Sequence, residues 1–388
     1  MRISVYIKSV FTSLLCFLQS FFFFIKNLFV KRTCQVIFYY PQHFNRGEKN
    51  DNLYFKHLLS TCDSNNISYI IFEEPDLYTN KPRNDSAIPF DFIFFLIILM
   101  RKLLSSEMDD ISKDHRIGYL LSSIIFFNFE FKNVITISQS MVSFFRGLNK
   151  DCDIYDVQHA ILHNNKPNYI LNNKAIANIT ENNLRLLLTG NKYQEILIKN
   201  ESLSYFKENT FVIGSHLNID NTENVVHKYF NNNILITLQL GGGNNLKENN
   251  LLYRDLIEFV NLSDLDINFY LKHHPRFNDE FDISEILRLP NVHLTTDALD
   301  KCFKLCSLHA TAYSTTTFEA ALIGIPTVFI CTRPKFNYFK LDFNYPLDNK
   351  VLDFKDKIFF QDSSNTIRDW ALEYYNFFDK NKFLNLLK

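Results

Sequence analysis

Glycine is scarce in this 388-residue chain, with 9 copies, alongside a single tryptophan and four methionines. In a chain so poor in glycine, any glycine cluster becomes conspicuous. The seven cysteines are scattered and odd in number, with no Cys-x-x-Cys pair and no Cys/His zinc spacing. A disulfide framework and a structural zinc site are therefore excluded, and the cysteines read as reduced packing thiols of a cytoplasmic protein. Charge of either sign is not in excess: 41 basic residues face 42 acidic ones, for a net charge of -1. With no basic stripe interleaved with aromatics, the balance excludes a nucleic-acid partner. The chain has no internal repeat, no long low-complexity segment, no Gly-x-Gly-x-x-Gly and no P-loop. No Asp-x-Asp pair closes a predicted strand, so neither a metal nor a resident cofactor is expected.

Present in excess is phenylalanine, with 40 copies. The densest run is Ser9 to Ile25, with Lys8 before it and Lys26, Lys31 and Arg32 after it. It is short for a spanning helix, which needs about 20 apolar residues, and no small-residue cleavage site follows it. The favoured reading for residues 1–32 is a helix held on the inner membrane surface by Phe and Leu, with basic flanks. The alternative is a first helix buried against its own domain. A second apolar run, Phe90 to Met100, contains Asp91 and reads as a buried or interfacial helix.

Length and periodicity together give two further domains, 33–229 and 230–388. In the first, strands are expected at 35–40, 68–72, 132–138, 152–158, 185–188 and 210–213, with helices between them. In the second, strands at 234–240, 267–271, 292–294, 308–313 and 327–331 alternate with helices at 253–262, 283–289, 299–306 and 318–323. A last helix is expected over 365–387. Such alternation predicts an α/β protein of two doubly wound, parallel-sheet domains.

Ligands of such sheets sit beyond the carboxyl ends of the strands, and four features fall there. Ser314, Thr315, Thr316 and Thr317 open a helix that carries Glu319; their hydroxyls suit phosphate oxygens, or simply cap the helix. Lys272, His273, His274, Pro275 and Arg276 offer several donors to an anion, or form a solvated loop. Gly241, Gly242 and Gly243 let a backbone approach a ligand closely, or make a plain turn. In the first domain Gln158 and His159 end a strand, with His163 nearby; His159 is the candidate general base, set against a His merely hydrogen-bonded in a loop. Glu73 and Glu74 are a weaker candidate pair, next to Pro75 in a segment that reads as solvated.

These residues resemble bacterial glycosyltransferases of the GT-B architecture, in which two Rossmann-like domains face each other across a cleft. Ser314–Thr317 followed by Phe318-Glu319-Ala320-Ala321 and Gly324-Ile325-Pro326 looks like the donor-binding segment of that group. Lys272 to Arg276 looks like the His-Pro motif of bacterial sialyltransferases, polysialyltransferases and capsule Kdo transferases. The resemblance implies that His274, Ser314 and Thr315 hold the phosphate or cytidine of a CMP-sugar. Glu319 instead matches the ribose-binding Glu of UDP-sugar relatives. Gln158-His159 resembles a Gln-His-Gly motif, with Ala160 in the place of the Gly, and the acidic base motif of many sialyltransferases is missing. The implied activity is metal-independent transfer from a nucleotide-sugar to a surface glycan or lipid-linked acceptor. A CDP-polyol phosphotransferase, a sugar-nucleotide 2-epimerase and an inactive scaffold for capsule assembly remain as alternatives.

Overall fold

The computed structural model describes residues 2–45, 47, 51–76, 82–163, 167–215, 227–241, 244–261, 266–274, 281–331 and 333–388, with side chains from residue 13 onward. The chain divides into two compact units, Met1–His216 with Asn376–Lys388, and Leu217–Tyr375. Both are built on parallel sheets, as expected of paired Rossmann-like domains.

The first unit contains α1 (Arg2–Asn27), β1 (Val36–Pro41), α2 (Lys56–Ser64), β2 (Tyr69–Glu74), β3 (Ile88–Pro89) and α3 (Asp91–Leu103). Next come α4 (Asp110–Ile124), β4 (Asn133–Ile137), α5 (Val142–Leu148), β5 (Asp153–Val157), β6 (Leu184–Leu188), α6 (Asn191–Asn200) and β7 (Thr210–Val212). The seven strands of its main sheet lie in the order β7-β6-β5-β4-β1-β2-β3, all parallel. Every residue of β1 is buried, because helices cover both faces of the sheet. The chain starts at β1, grows outward through β2 and β3, then returns to β4 on the other side. The strand order therefore reverses between β1 and β4.

The phenylalanine-rich helix α1 is part of this unit rather than a segment apart from it. Phe24 is fully buried, with its ring 5.7 Å from Phe72, 5.8 Å from Phe90 and 5.2 Å from Phe126. The Ser20 hydroxyl accepts the Phe92 N–H at 3.1 Å, tying α1 to the start of α3. Four consecutive Phe place rings all around a helix, so one side joins the core while Leu14, Leu15, Leu18 and Phe22 stay exposed. Among the described residues, no helix is long and apolar enough to cross a membrane.

Glycine matters where α4 crosses α5. A Cβ on Gly118 would lie 2.3 Å from the Phe144 carbonyl oxygen, and one on Gly147 equally close to that of His115. The spacing reads Gly147 as a helix stop; it lies inside α5 and serves this close approach.

The second unit contains β8 (Asn233–Thr237), α7 (Leu246–Asn261), β9 (Asn268–Lys272), β10 (Val292–Leu294), α8 (Leu299–Leu305), β11 (Leu308–Thr311), α9 (Thr316–Leu322), β12 (Thr327–Phe329) and α10 (Lys357–Tyr374). Its strand order is β10-β9-β8-β11-β12, again all parallel, and it reverses between β8 and β11. At the centre, the fully buried His309 bridges Thr237 (Nε2 to Oγ1, 2.8 Å) and Thr327 (Nδ1 to Oγ1, 2.9 Å). Burial drives its pKa down to about 3, so the ring is neutral.

Two expected elements differ. The helix anticipated over 283–289 is only a 3-10 turn, Ile286–Arg288. Pro290 disfavours helical backbone at Leu289, and the Tyr253 hydroxyl accepts the Ile286 N–H at 3.2 Å. The helix anticipated over 365–387 is two, α10 and α11 (Lys380–Leu386). Between them the Asn376 N–H donates to the Thr189 carbonyl (2.8 Å) and the Asp379 N–H to that of Ile213 (2.7 Å). The Asp379 side chain then caps α11. These bonds, and the burial of Phe383 in the core beside Tyr155, place the tail with the first unit rather than with the second.

Candidate functional site

In the second unit, the segments that follow β8, β9, β11 and β12 converge on a cavity of about 320 Å3. It is lined by Gln239, Leu240, Gly241, Asn244, His274, Tyr313, Lys335, Phe336 and Tyr338. Its place is where the strand order reverses, the expected ligand crevice of a doubly wound sheet. Its size falls in the range that takes a small molecule, about 300–1,000 Å3.

Each wall has a local cause. Gly241 turns the chain with φ of +117°, a conformation costly for any residue with a side chain. The turn is locked by the Asn249 carboxamide, which accepts the Gly241 N–H at 3.1 Å. Asn244 then reaches back, donating to the Gln239 carbonyl (2.9 Å) and to the Tyr313 hydroxyl (2.8 Å). The Tyr313 ring is stacked on Phe336, 5.0 Å between centroids and 12° between planes. The Tyr338 hydroxyl donates to the Tyr313 carbonyl, closing the same wall. The ammonium of Lys335 pairs with Glu248 and lies 5.5 Å from the Phe336 ring centroid. Arg333 holds the segment down on α7 through Asp255, with one bond of 2.8 Å. Aromatic faces, amide donors and one ammonium suit a planar, anionic ligand.

Of the sequence candidates, Gly241 and His274 line this cavity. Gly242, Gly243, Pro275 and Arg276 lie outside the described residues. Lys272 donates to the Asp297 carbonyl. Ser314 is buried and turns inward, its oxygen accepting the Thr316 N–H at 3.3 Å and its hydroxyl donating to Thr316 Oγ1 at 2.9 Å. Thr317 is fully buried, while Thr315 is exposed and Thr316 and Glu319 are half-buried. None of Ser314 to Thr317 and Glu319 is among the residues that line the cavity. Sequence reading missed Tyr313, Asn244, Lys335, Phe336 and Tyr338. A usable signal was present: Arg333-Pro334-Lys335-Phe336 puts two cations and an aromatic around a proline just past a predicted strand.

In the first unit the carboxyl ends of β1, β2, β4 and β5 carry a second polar group. After β4 the backbone is strained, with positive φ at Ser138, Gln139 and Met141. The Gln139 N–H donates to Asp156 Oδ1 at 2.8 Å, while Asp156 Oδ2 is buried with no hydrogen-bond partner. Burial pushes the Asp156 carboxyl up to about 8, opposed only by that N–H. Gln158 is buried and clasps the end of β6: its oxygen accepts the Thr189 N–H (3.0 Å) and its amide donates to the Ala160 carbonyl (3.0 Å). The His159 ring stands edge-on to Phe44 at 5.3 Å, and its carbonyl accepts the Tyr54 hydroxyl at 3.2 Å. His163 is half-buried beside it in sequence.

Glu73 is not solvated. It lies 1% exposed, its Oε2 accepting from Asn45 and the Asn84 N–H, both at 2.9 Å, and its Oε1 facing Arg83 at 2.9 Å in an ion pair without hydrogen-bond alignment. Arg83 also pairs with Asp91. This buried cluster is a structural clamp between β2, α3 and the loop before β3. Glu74 accepts the Tyr39 hydroxyl at 2.8 Å, and burial raises its carboxyl to about 7.

The sequence matches no protein-family model and no curated protein. Solved structures do match. The UDP-GlcNAc 2-epimerase of Methanocaldococcus jannaschii is similar over 91% of this chain and 99% of its own, at 12% identity and a TM-score of 0.52. The UDP-GlcNAc 2-epimerase of Neisseria meningitidis, solved with UDP-GlcNAc bound, is similar over 91% and 98%, at 8% identity and a TM-score of 0.50. The wall teichoic acid polymerase TagF is similar over 91% and 87%, at 11% identity and a TM-score of 0.48. At these identities the likeness to the two epimerases is one of fold: two Rossmann-like domains of the GT-B architecture.

Proposed function

We propose that this protein is a glycosyltransferase whose nucleotide-sugar donor binds in the Tyr313–Phe336 cavity. The observation that carries the reading is the convergence of His274, Lys335, Asn244 and stacked aromatics at the reversal point of the second unit's sheet. His274 and Lys335 would stabilise the charge that develops on the leaving nucleotide phosphate, and the aromatic wall would meet the base. The acceptor, a surface glycan or a lipid-linked one, would belong to the first unit, and no metal is required.

Attachment to the inner membrane surface fits the same reading. The first acidic residue of the chain is Glu48, whereas Arg2, Lys8, Lys26, Lys31, Arg32 and Arg46 precede it. Exposed Leu14, Leu18 and Phe22 on α1 and Phe95, Ile98 and Leu99 on α3 supply apolar contacts, and Phe17 meets Phe95 at 5.9 Å between the two helices. Apolar side chains and an acid-free basic segment suit an anionic leaflet.

The base is cytidine by the His-Pro resemblance and uridine by the ligands of the structural neighbours. Thermal shift with CMP, CDP, UDP and GDP decides between them, since a ligand at 100 times its Kd stabilises by about 2.7 kcal/mol. No shift with any of the four would sink the nucleotide reading. A second reading, a sugar-nucleotide 2-epimerase, is supported by the two epimerases that span nearly the whole chain. Incubation with UDP-GlcNAc in D2O separates the two, because only an epimerase exchanges the C2 hydrogen without an acceptor.

A further inference from the structure

Three helices of the first unit are neighbours and share an unusual surface. α1 meets α3 through Phe21 and Phe92, 5.1 Å between ring centroids. α3 meets α4 through Arg101, which grips the Asp114 carboxylate at 2.7 and 2.6 Å. Just past α4, Phe126 returns to α1 and packs 5.2 Å from Phe24. Each helix buries one stripe in the domain, as with Ile93 and Ile97 of α3 and Ile117 and Leu121 of α4, and exposes the opposite one. On α4 the exposed stripe is Arg116, Tyr119, Leu120, Ser123 and Ile124, at the spacing of one helix side. Tyr119 is 68% exposed and Ile124 60%. A helix at rest in water carries mainly charged and polar residues there. More than half of the large apolar side chains exposed among the described residues lie on these three helices and in the residues just after α1 and α4. Apolar surface gathered in this way marks an interaction site.

The charges on the stripes select the partner. Each stripe carries one exposed cation: Lys26 on α1, Lys102 on α3 and Arg116 on α4, and none of the three is ion-paired among the described residues. No Asp or Glu stands on any of the three exposed stripes. The nearest acids in sequence lie beside the stripes: Asp109 caps α4, Asp110 pairs with Lys113, and Glu130 pairs with Lys31. Apolar side chains interleaved with unopposed cations match an anionic leaflet, with the apolar tips at the acyl boundary and the cations among the headgroup phosphates.

We propose that α4 is a second membrane anchor, and that α1, α3 and α4 together form the face by which the first unit rests on an anionic bilayer. The proposal rests on the membrane attachment inferred under the proposed function, and extends it from the N-terminal segment to the body of the domain. Attachment is then a property of the folded unit. The Arg101–Asp114 pair and the packing of Phe24 on Phe126 hold the three stripes in register, so the domain meets the leaflet in one orientation.

The test uses the full chain and sedimentation with two kinds of vesicle, an equal mixture of phosphatidylglycerol and phosphatidylcholine, and phosphatidylcholine alone. Tyr119→Glu with Ile124→Glu should weaken binding to the anionic vesicles by about tenfold or more, because two apolar side chains leave the acyl boundary. Lys102→Gln with Arg116→Gln should weaken it about 20-fold at low salt, and wild type should bind phosphatidylcholine alone far less well. Ile358→Glu, 72% exposed in the second unit, is the control and should change nothing. All variants should melt with wild type, since the changed positions are exposed; if the double glutamate variant melts early, the glutamine pair alone decides. Binding of the α4 and glutamine variants within threefold of wild type overturns the proposal, as does an equal loss in Ile358→Glu. If Leu18→Glu with Phe22→Glu loses binding while Tyr119→Glu with Ile124→Glu keeps it, α1 alone is the anchor and only the extension falls. If wild type binds neither vesicle, the membrane reading falls and takes this face with it; a dimer seen by light scattering and dissolved by the α4 change would then give the face to a second copy of the chain. Nucleotide binding is followed separately by thermal shift without vesicles, so failure of the transferase reading is distinguished from failure of this one.

Discussion

The buried imidazole at the centre of the second sheet makes stability depend on pH in a calculable way. His309 is fully buried between two threonine hydroxyls, and its pKa falls from 6.5 to about 3. A depressed folded value means that the unfolded chain binds the proton first. Stability is therefore present above pH 6.5 and is lost as pH falls through the window down to 3. Between pH 7 and pH 5 the loss is about 2 kcal/mol from this one group, approaching about 5 kcal/mol below pH 3. Glu74 and Asp156 have raised values and act in the opposite direction, but both belong to the first unit. The assay is denaturant unfolding followed by the fluorescence of Trp370, the only tryptophan, which packs face to face on Phe318 in the second unit. His309→Gln keeps a donor and an acceptor for the two threonines but does not titrate. Wild type should lose about 2 kcal/mol more than the variant between pH 7 and pH 5. Equal losses in the two proteins would refute a neutral, proton-refusing His309.

Four other outcomes follow from the same geometry. Arg83→Leu leaves Glu73 and Asp91 buried without their cation and should cost about 3–5 kcal/mol, read by urea unfolding with far-UV circular dichroism. Asp156→Asn removes a carboxyl raised to about 8; wild type should lose on the order of 4 kcal/mol relative to the variant as pH rises from 4 to 7, because the folded state must keep a proton the unfolded state releases. Tyr313→Ala opens the aromatic wall and should weaken nucleotide binding about tenfold by calorimetry, the loss of one good aromatic contact. Leu18→Glu with Phe22→Glu should abolish sedimentation with phosphatidylglycerol vesicles while leaving nucleotide binding intact; unchanged sedimentation would remove α1 from the membrane argument.

The alternation of apolar runs made the sheet strands legible, since a strand buried on both faces reads as a continuous hydrophobic stretch: Val36–Pro41 and Leu184–Leu188 are examples. His274 and Gly241 were legible because they end such runs. Ser314 closes its own turn through Thr316, and a hydroxyl that does so leaves the same trace in sequence as one that holds phosphate. Tyr313 and Phe336 were invisible as a pair: 23 positions separate them, and only the adjacency of β11 and β12 stacks their rings.

By itself the sequence determined the class of the protein, two parallel α/β domains, because strand and helix periods are local properties of neighbouring residues. It also determined the charge of the N-terminal segment, which needs no fold to be read. Tertiary structure decided which polar residues meet. His43 and Asp76 stand on different loops and become a pair only because β1 and β2 lie side by side with their carboxyl ends aligned. It decided as well that one side of the phenylalanine-rich first helix is core, since burial of Phe24 depends on the rings of Phe72, Phe90 and Phe126 arriving from far along the chain. Packing partners are non-local, and no periodicity encodes them.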